Sequence, residues 1–395
     1  APTFDPNDFR TTDFAGTRSR TFTDAVEPGS TLKVFLVAAG LEAGVISDDE
    51  SIDCVGGELR VPGKTIRDRR DFGVLDPAGV LRVSSNVGAV RIAQRLGPAT
   101  HHAALLRFGF GASTGSGFPS ESAGILRKPE RWEPVDHATV AFGQGLGVTV
   151  IQLASATAAL ANDGIWLRPR LVAARRKANG PWQRTEPEAV RRVVGEDTAA
   201  RVLEMMEQVV SPTGTGRLAA LDGIRVAGKT GTAQKLDSET GRYSRDRYIA
   251  WFIGAVPAED PRLAIVVALD EPSGANHSGG AVAAPLFGQV AAAQLTALGH
   301  PAAWKPLAPA PVTPASPEHR NPAQAPRVVS VESPASPSTS RPAPASTPTP
   351  SSEEGEDDVE VVGHDGRVLL PDFRGLSVRE VMRITSEHDL ELQVR

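Results

Sequence analysis

Three short motifs carry residue types that together could perform nucleophilic catalysis. They are Ser30-Thr31-Leu32-Lys33, Ser84-Ser85-Asn86 and Lys229-Thr230-Gly231-Thr232, and each pattern occurs once in the chain. A serine hydroxyl is a weak nucleophile until a neighbouring base accepts its proton, and a neutral lysine amine is able to do this. Each motif alone is common by chance, so it is their joint presence in this order that indicates a serine acyltransferase.

The first motif places a hydroxyl and an amine on one side of a predicted helix. Glu27-Pro28-Gly29 has the composition of a turn, so we expect Ser30 at or near the N-terminus of the helix that follows. Lys33 lies three residues on and shares a helix face with Ser30, which brings its amine towards the hydroxyl. Burial and the positive charge of Lys229 would lower the pKa of Lys33. A backbone N–H at the helix N-terminus would help to stabilise an oxyanion.

The other two motifs supply groups that could surround the same serine. If Ser84-Ser85-Asn86 is a loop turn ahead of a helix starting at Val87, Ser84 can relay a proton and Asn86 can bond a substrate amide. The third motif is best placed on an edge strand, where Gly231 permits close approach of a substrate backbone. The amine of Lys229 and the hydroxyls of Thr230 and Thr232 suit a terminal carboxylate.

Hydrophobic periodicity indicates the elements that must position these motifs. The β-branched and aromatic runs at 248–253 and 263–269 predict an antiparallel hairpin, and 224–228 predicts a third strand. Apolar residues at helical spacing predict helices over 32–41, 87–96, 150–160, 198–210 and 283–298, with Gly97 and Gly299 as C-caps. We therefore expect a mixed α/β domain of the α+β type from residue 1 to about 298.

Composition argues against several other classes of function. The net charge is only -5 over 395 residues, and no basic face is interleaved with aromatic residues, so neither nucleic acid nor an anionic membrane surface is indicated as a partner. Cys54 is the only cysteine and is expected to be a packing residue. The eight histidines lack the spacing of metal ligands, and the adjacent His101 and His102 would face different directions, so we expect no metal and no cofactor.

The two ends of the chain differ from its centre. From residue 299 to 365, a Pro/Ala/Ser-rich stretch with an acidic run at 353–358 predicts a disordered tether. A helix at 378–386 and a strand at 390–394 are predicted beyond it. The chain begins without Met, and it lacks both a signal peptide and an apolar run of about 18 residues. We therefore expect a fragment whose N-terminal anchor is missing.

These motifs and their surroundings resemble the transpeptidase domain of class B penicillin-binding proteins, the monofunctional kind used in cell division. The resemblance covers residues 1 to about 298 and includes phrases beyond the three motifs: Phe4-Asp5-Pro6-Asn7, Glu27-Pro28-Gly29-Ser30-Thr31, Phe142-Gly143-Gln144-Gly145, Thr149-Val150-Ile151-Gln152-Leu153 and Ala227-Gly228-Lys229-Thr230-Gly231-Thr232-Ala233-Gln234. It implies the penicillin-binding-protein/serine β-lactamase-like fold, with an active site between an all-helical subdomain and an antiparallel sheet flanked by helices. It also implies N-terminal strands that are missing here, which would leave one sheet edge uncovered.

The resemblance further implies a peptidoglycan DD-transpeptidase that β-lactams inhibit covalently. Ser30 would be the acylated nucleophile, Lys33 its base and Ser84 a proton relay, with the backbone amides of Ser30 and Thr232 as the oxyanion hole. The residues implied as ligands of the D-Ala-D-Ala stem are Asn86, Lys229, Thr230, Gly231 and Thr232.

The same resemblance implies partners and a location. The partners would be peptidoglycan stem peptides, membrane proteins of the division complex and a membrane-embedded glycan polymerase. The enzyme would work on the outer face of the bacterial cytoplasmic membrane, anchored by an N-terminal helix. Residues 366–395, which include Leu370-Pro371-Asp372-Phe373-Arg374-Gly375-Leu376-Ser377, resemble the opening of a wall-binding PASTA module.

Two alternatives remain open from the sequence. A serine β-lactamase shares the acylation residues but needs a dedicated base for rapid deacylation, for which the sequence offers no clear candidate. A non-enzymatic sensor would be acylated once by a β-lactam and then signal.

Overall fold

The computed structural model describes residues 17–177, 180–237, 242–274 and 276–308, together with two short strands near the C-terminus. The chain divides into two compact units, Ala1–Ala315 and Ser316–Arg395. The helices of the first unit are α1 (Arg20–Thr23), α2 (Lys33–Glu42), α3 (Pro77–Val83), α4 (Asn86–Leu96), α5 (Pro98–Arg107), α6 (Pro134–Val140), α7 (Val150–Leu160), α8 (Glu196–Val209) and α9 (Ala284–Ala297). Its strands are β1 (Ile52–Cys54), β2 (Glu58–Val61), β3 (Lys64–Arg67), β4 (Gly73–Leu75), β5 (Ile165–Leu167), β6 (Ala174–Arg175), β7 (Gln183–Arg184), β8 (Ala189–Arg192), β9 (Ala227–Leu236), β10 (Tyr243–Val256) and β11 (Leu263–Asp270). The described residues of the second unit form one antiparallel pair, β12 (Gly363–His364) and β13 (Arg367–Val368).

A three-stranded antiparallel sheet, in the order β11-β10-β9, forms the centre of the first unit. The predicted hairpin is confirmed, because the runs at 248–253 and 263–269 lie inside the paired strands β10 and β11. The predicted third strand starts later than expected. Ile224 bridges back to Leu221 in a tight turn, so β9 begins only at Ala227. It then continues through the Lys229 motif at the end of the strand order, as predicted.

Side chains alternate along β10 between two hydrophobic cores. Ile249, Trp251 and the other odd-numbered residues to 255 lie in the core that also contains α2 and α4. Phe252, on the opposite face, lies in the core beneath α9, where its ring centroid is 4.7 Å from that of Phe287. This two-residue period places helices on both faces of the sheet.

Helix α2 is the most deeply buried helix segment near the motifs. Every residue from Lys33 to Leu41 is buried, and the helix packs against α4, α5 and α8. The ring of Phe35 lies 4.9 Å from that of Phe108 and 5.2 Å from that of Phe110, between centroids. A charged residue in such a helix must find its hydrogen-bond partners inside the protein.

The five helices predicted in the first unit are confirmed to within two residues at each end, whereas the one predicted at 378–386 lies outside the described residues. Gly97 and Gly299, which follow α4 and α9, have the positive φ angles expected of helix-terminating glycines. The prediction for 32–41 needs one correction. The α-helix begins at Lys33, and Gly29–Leu32 forms a turn of 3-10 helix, so Ser30 precedes the α-helix.

The predicted start of the tether at residue 299 is also wrong. Trp304 donates a hydrogen bond of 2.8 Å from its indole Nε1 to the carbonyl of Leu218, and Lys305 pairs with Asp222 at 2.8 Å. The Trp304 ring also lies against Gly288, where an added Cβ would be 2.4 Å from the indole. Backbone hydrogen bonds from Lys305 to Ala220 and from Leu307 to Arg217 add to these contacts, so the Pro/Ala-rich segment is held on the first unit as far as Leu307.

Several predicted features lie outside the described residues. These are the Phe4-Asp5-Pro6-Asn7 phrase, most of the tether, and the partial PASTA-like module apart from Arg367–Val368. Within the part of the chain that is described, no helix combines the length and the apolar character needed to cross a bilayer.

Replacing Trp304 with alanine is expected to lower the free energy of unfolding by about 1–3 kcal/mol, because the indole loses its packing on Gly288 and its hydrogen bond to Leu218. Urea denaturation measures this change. Trp182→Ala is the matched control, since Trp182 is 63% exposed, and we expect a change below about 0.5 kcal/mol. Equal losses in the two variants would contradict the docking of this segment.

Candidate active site

The turn that carries Ser30 is pressed against strand β9. Gly29 has φ 55°, and a Cβ added there would lie 3.0 Å from the carbonyl oxygen of Thr232. Gly231 is equally crowded, since its added Cβ would lie 2.8 Å from Cγ2 of Thr31. Glycine on both sides therefore lets Ser30 approach the edge strand.

The partly buried carboxylate of Glu27 connects this turn to its neighbours. Oε1 of Glu27 accepts hydrogen bonds from the backbone N–H of Gly145 at 2.7 Å and from the hydroxyl of Tyr243 at 2.8 Å. The backbone N–H of Gly29 donates to the carbonyl of Gly143 at 3.1 Å. Burial raises the pKa of Glu27. The loop that contains Gln144 thus supports the Ser30 turn through its flanking glycines.

The second motif forms a sharp corner between two helices. Ser84 ends α3 in the left-handed conformation, with φ 62°. Ser85 is the N-cap of α4, and its Oγ accepts a hydrogen bond of 2.8 Å from the N–H of Gly88. The helix therefore starts at Asn86, one residue before the predicted Val87.

Lys33 directs its amine to this corner rather than to Ser30. Its Nζ donates to the Ser84 carbonyl at 2.7 Å, to Oδ1 of Asn86 at 2.7 Å and, more weakly, to Oγ of Ser84 at 3.4 Å. An ammonium has three donors, and these three acceptors use all of them. The sequence predicted an amine that points towards the Ser30 hydroxyl. The described hydrogen bonds instead connect Lys33 to the second motif.

Lys229 reaches the same corner from the sheet. Its Nζ donates to Oγ of Ser84 at 3.0 Å and to the carbonyl of Thr230 at 2.9 Å. Both lysine side chains are fully buried. The three motifs, which lie far apart in the chain, therefore meet at one hydroxyl, that of Ser84.

Burial dominates the electrostatics of the two lysines. It lowers the pKa of Lys33 to about 7, an effect that Asp68 opposes and Arg69 reinforces. The pKa of Lys229 is lowered by burial, by repulsion from Lys33 and by Arg69. The sequence predicted this direction for Lys33, although it named Lys229 rather than Arg69 as the neighbouring charge.

An open cleft of about 320 Å³ lies directly above the two lysines. Six of the predicted site residues line it: Ser30, Ser84, Asn86, Thr230, Gly231 and Thr232. The predicted nucleophile and the predicted substrate ligands thus share one solvent-accessible cavity, with the two amines beneath its floor.

The sequence missed other residues of this cleft, among them Asp68, Thr215 and Ser278. Thr215 shares a hydrogen bond of 2.9 Å with the hydroxyl of Thr230. These residues lie in loops without periodicity or a recognisable motif, so no local signal distinguished them. Only Asp68, which is followed directly by two arginines, had an unusual charge pattern.

The adjacent His101 and His102 lie in different surroundings. His101 is buried and His102 is partly exposed, so the neighbours face different directions. In the described ranges, no three His, Cys, Asp or Glu side chains form a group suited to a metal ion.

Lys33 is expected to lose its proton near pH 7, because burial lowers its pKa to about 7. Below that pH the amine is charged and cannot accept a proton, whereas above it the amine is free to act as a base. Nuclear magnetic resonance of 13C-labelled lysine measures this titration, with the signal assigned by its loss in Lys33→Met. The exposed Lys64 supplies a reference signal. A Lys33 amine that is still charged above about pH 9 would contradict the expectation.

The chain is similar to a known family model and to named relatives. The family model described as the penicillin binding protein transpeptidase domain matches residues 1–292. The probable peptidoglycan D,D-transpeptidase PenA of Neisseria meningitidis serogroup A is 37% identical over 298 residues, which are 75% of this chain and 49% of that protein. The peptidoglycan D,D-transpeptidase FtsI of Escherichia coli K12 is 37% identical over 290 residues, 73% of this chain and 47% of that protein. The chain thus spans about half the length of these two relatives.

Solved structures show the same fold. The apo structure of the transpeptidase domain of Burkholderia pseudomallei penicillin-binding protein 3 has a TM-score of 0.65 at 36% identity, covering 72% of this chain and 83% of that one. Penicillin-binding protein 3 of Mycobacterium tuberculosis, in complex with aztreonam, has a TM-score of 0.70 at 35% identity, covering 78% and 70%. The matched family model, these similarities and the meeting of the three motifs all lead to one conclusion: the chain belongs to the penicillin-binding protein transpeptidase family.

Proposed function

We propose that this protein is a serine-type D-Ala-D-Ala transpeptidase that cross-links peptidoglycan stem peptides through an acyl-enzyme on Ser30. The observation that carries the proposal is the convergence of the buried amines of Lys33 and Lys229 on Ser84, beneath the cleft that Ser30 lines. The relatives PenA and FtsI are named for the same activity, which supports the proposal.

In the proposed acylation, the Ser30 hydroxyl attacks the carbonyl carbon of the penultimate D-Ala. As an oxygen–carbon bond forms, the hydroxyl proton is relayed by Ser84 to neutral Lys33, whose amine contacts Oγ of Ser84 at 3.4 Å. The bond to the nitrogen of the terminal D-Ala then breaks, and that nitrogen receives a proton through Ser84. The amine of a second stem peptide attacks the ester in turn, forms the cross-link and releases Ser30 with its proton restored.

The remaining predicted residues have binding roles in this proposal. The backbone N–H groups of Ser30 and Thr232 would stabilise the oxyanion. Asn86 would bond a stem-peptide amide, and Gly231 would allow the substrate backbone to lie along β9. Hydroxyls of Thr230 and Thr232, with the charge of Lys229 behind them, would hold the terminal carboxylate.

A β-lactam fits the same steps as a cyclic acyl donor. When its amide opens, the nitrogen stays attached to the acyl group and cannot leave the cleft, so the Ser30 ester persists. The penicillin-binding protein 3 from Mycobacterium tuberculosis, which shares this fold, binds the β-lactam aztreonam, and this supports the same reactivity here.

The wider assignments belong to this proposal as well. The catalytic domain would be 1–298, and the segment 299–308, which Trp304 and Lys305 hold on the first unit, would extend it. The remaining tether to 365 and a partial PASTA-like module at 366–395 would follow. We propose that the protein acts on the outer face of the cytoplasmic membrane during septal wall synthesis. Its partners there would be membrane proteins of the division complex and a membrane-embedded glycan polymerase.

A fluorescent penicillin is expected to label the protein stably on Ser30, as digestion and mass spectrometry of the labelled peptide would measure. Ser30→Ala removes the nucleophile and should abolish the label. Lys33→Ala should slow labelling about a hundredfold or more without unfolding the protein, because the base is lost.

Ser47→Ala and Lys177→Ala are the matched controls, since both side chains are exposed and neither lines the cleft. Both variants should label as the wild type does. Absence of label from the wild type would refute acylation at Ser30. Rapid release of the label would indicate a β-lactamase, and normal labelling of Lys33→Ala would rule out Lys33 as the base.

A further inference from the structure

We propose that Asp68 is a positioning residue that holds the corner Ser84-Ser85-Asn86 in the orientation required by its contacts with the two buried lysines. The inference rests on the proposed function, because it concerns the geometry of the same catalytic site. None of the three motifs contains Asp68, which immediately follows β3.

The carboxylate of Asp68 bonds the corner at three points. Its Oδ2 accepts a hydrogen bond of 2.5 Å from the hydroxyl of Ser85. Its Oδ1 accepts a short hydrogen bond from the backbone N–H of Asn86 and one of 3.2 Å from that of Val87. These N–H groups open helix α4 and have no partner within the helix, so a carboxylate here also interacts favourably with the helix dipole.

Arg67, the residue before Asp68, adds a fourth hydrogen bond to this corner, and we call the four bonds together the clamp. The side-chain amide of Asn86 donates from Nδ2 to the carbonyl of Arg67 at 3.1 Å. This contact determines which way the amide is turned, and it directs Oδ1 towards Lys33, which donates to it at 2.7 Å. Arg67 and Asp68 therefore hold both the backbone and the side chain of Asn86.

The clamp also determines the roles of Ser85 and Ser84. Because the Ser85 hydroxyl donates to Asp68, its lone pairs stay free to accept the N–H of Gly88, which caps α4. With α4 fixed in this way, Ser84 is kept in its left-handed conformation, which is unfavourable for a residue other than glycine. Without Asp68, the α4 side of the corner would lose these bonds, and Ser84 would be held only by the end of α3 and by the two lysines.

The charge of Asp68 acts on Lys33 as well. The charged groups that face this amine are Asp68 from the loop after β3, Arg69 beside it, and Lys229 from β9. Asp68 raises the pKa of Lys33, against burial and Arg69. Removing the charge should therefore shift the protonation of Lys33 to lower pH, an effect that general loosening of the fold would not produce.

The test compares Asp68→Asn and Asp68→Ala with Asp71→Asn. Asp71 is a matched control because it lies in the same loop, exposed, with its carboxylate bonded to the N–H of Gly73. Two quantities are measured for the full chain as a function of pH: the rate of Ser30 labelling by fluorescent penicillin, and the titration of Lys33 by nuclear magnetic resonance. Thermal melting followed by circular dichroism establishes that each variant is folded.

We expect Asp68→Asn to label about tenfold more slowly at its optimum, and Asp68→Ala about a hundredfold more slowly. Both should shift the Lys33 midpoint and the acid limb of the labelling profile to lower pH, whereas Asp71→Asn should change neither.

If Asp68→Asn behaves as Asp71→Asn does while the wild type labels, the inference about Asp68 is wrong and the proposed function stands. A slower rate with an unchanged Lys33 midpoint would also overturn it, since a merely structural role would explain the loss. A wild type that never labels would overturn the proposed function, and this inference with it.

Discussion

The rest of the structure depends on the burial of one amine, that of Lys33. Removing an ammonium from water is costly unless hydrogen bonds replace its hydration, and Lys33 is fully buried in the helix core. Ser84 and Asn86 provide those hydrogen bonds. The corner between α3 and α4 must therefore remain beside the first turn of α2. The same burial lowers the pKa of Lys33 to about 7. Burial therefore both makes the amine costly to accommodate and makes it able to act as a base near neutral pH.

The sheet brings the third group of residues to this corner. Since β9 lies at the end of the strand order, its Lys229 motif faces the Ser30 turn instead of another strand. The side chain of Thr232 is held in place, because its hydroxyl accepts a hydrogen bond of 3.0 Å from the backbone N–H of Gly279. Two cores clamp β10, the neighbour of β9, from both faces. The cleft thus combines a rigid strand edge with a rigid helix corner.

Features encoded by periodicity or by short motifs were predictable from the sequence, and features made by single long-range contacts were not. Helix α7 lies where the apolar spacing predicted it, at 150–160, because its side chains meet a core along the whole length. The three motifs were found because each carries unusual residue types close together. Asp68 and Trp304 act through partners far away in the chain, and no local sequence pattern predicts such contacts. The start of β9 was misplaced for a related reason, since a bridge between Leu221 and Ile224 overrides the strand propensity of 224–226.

The distances around Lys33 indicate how the proposed base can release and accept a proton without rearrangement. Its bonds to the Ser84 carbonyl and to Asn86 are both 2.7 Å long, whereas the contact with Oγ of Ser84 is 3.4 Å. A neutral amine has two N–H donors and one lone pair, so it can retain both short bonds when it loses its proton. The lone pair then replaces the weakest of the three contacts and faces the Ser84 hydroxyl. Because Lys229 already donates to that hydroxyl, the proton of Ser84 is free to point either to Lys33 or into the cleft. Ser84 is therefore suited to pass a proton between a buried amine and a group bound above it.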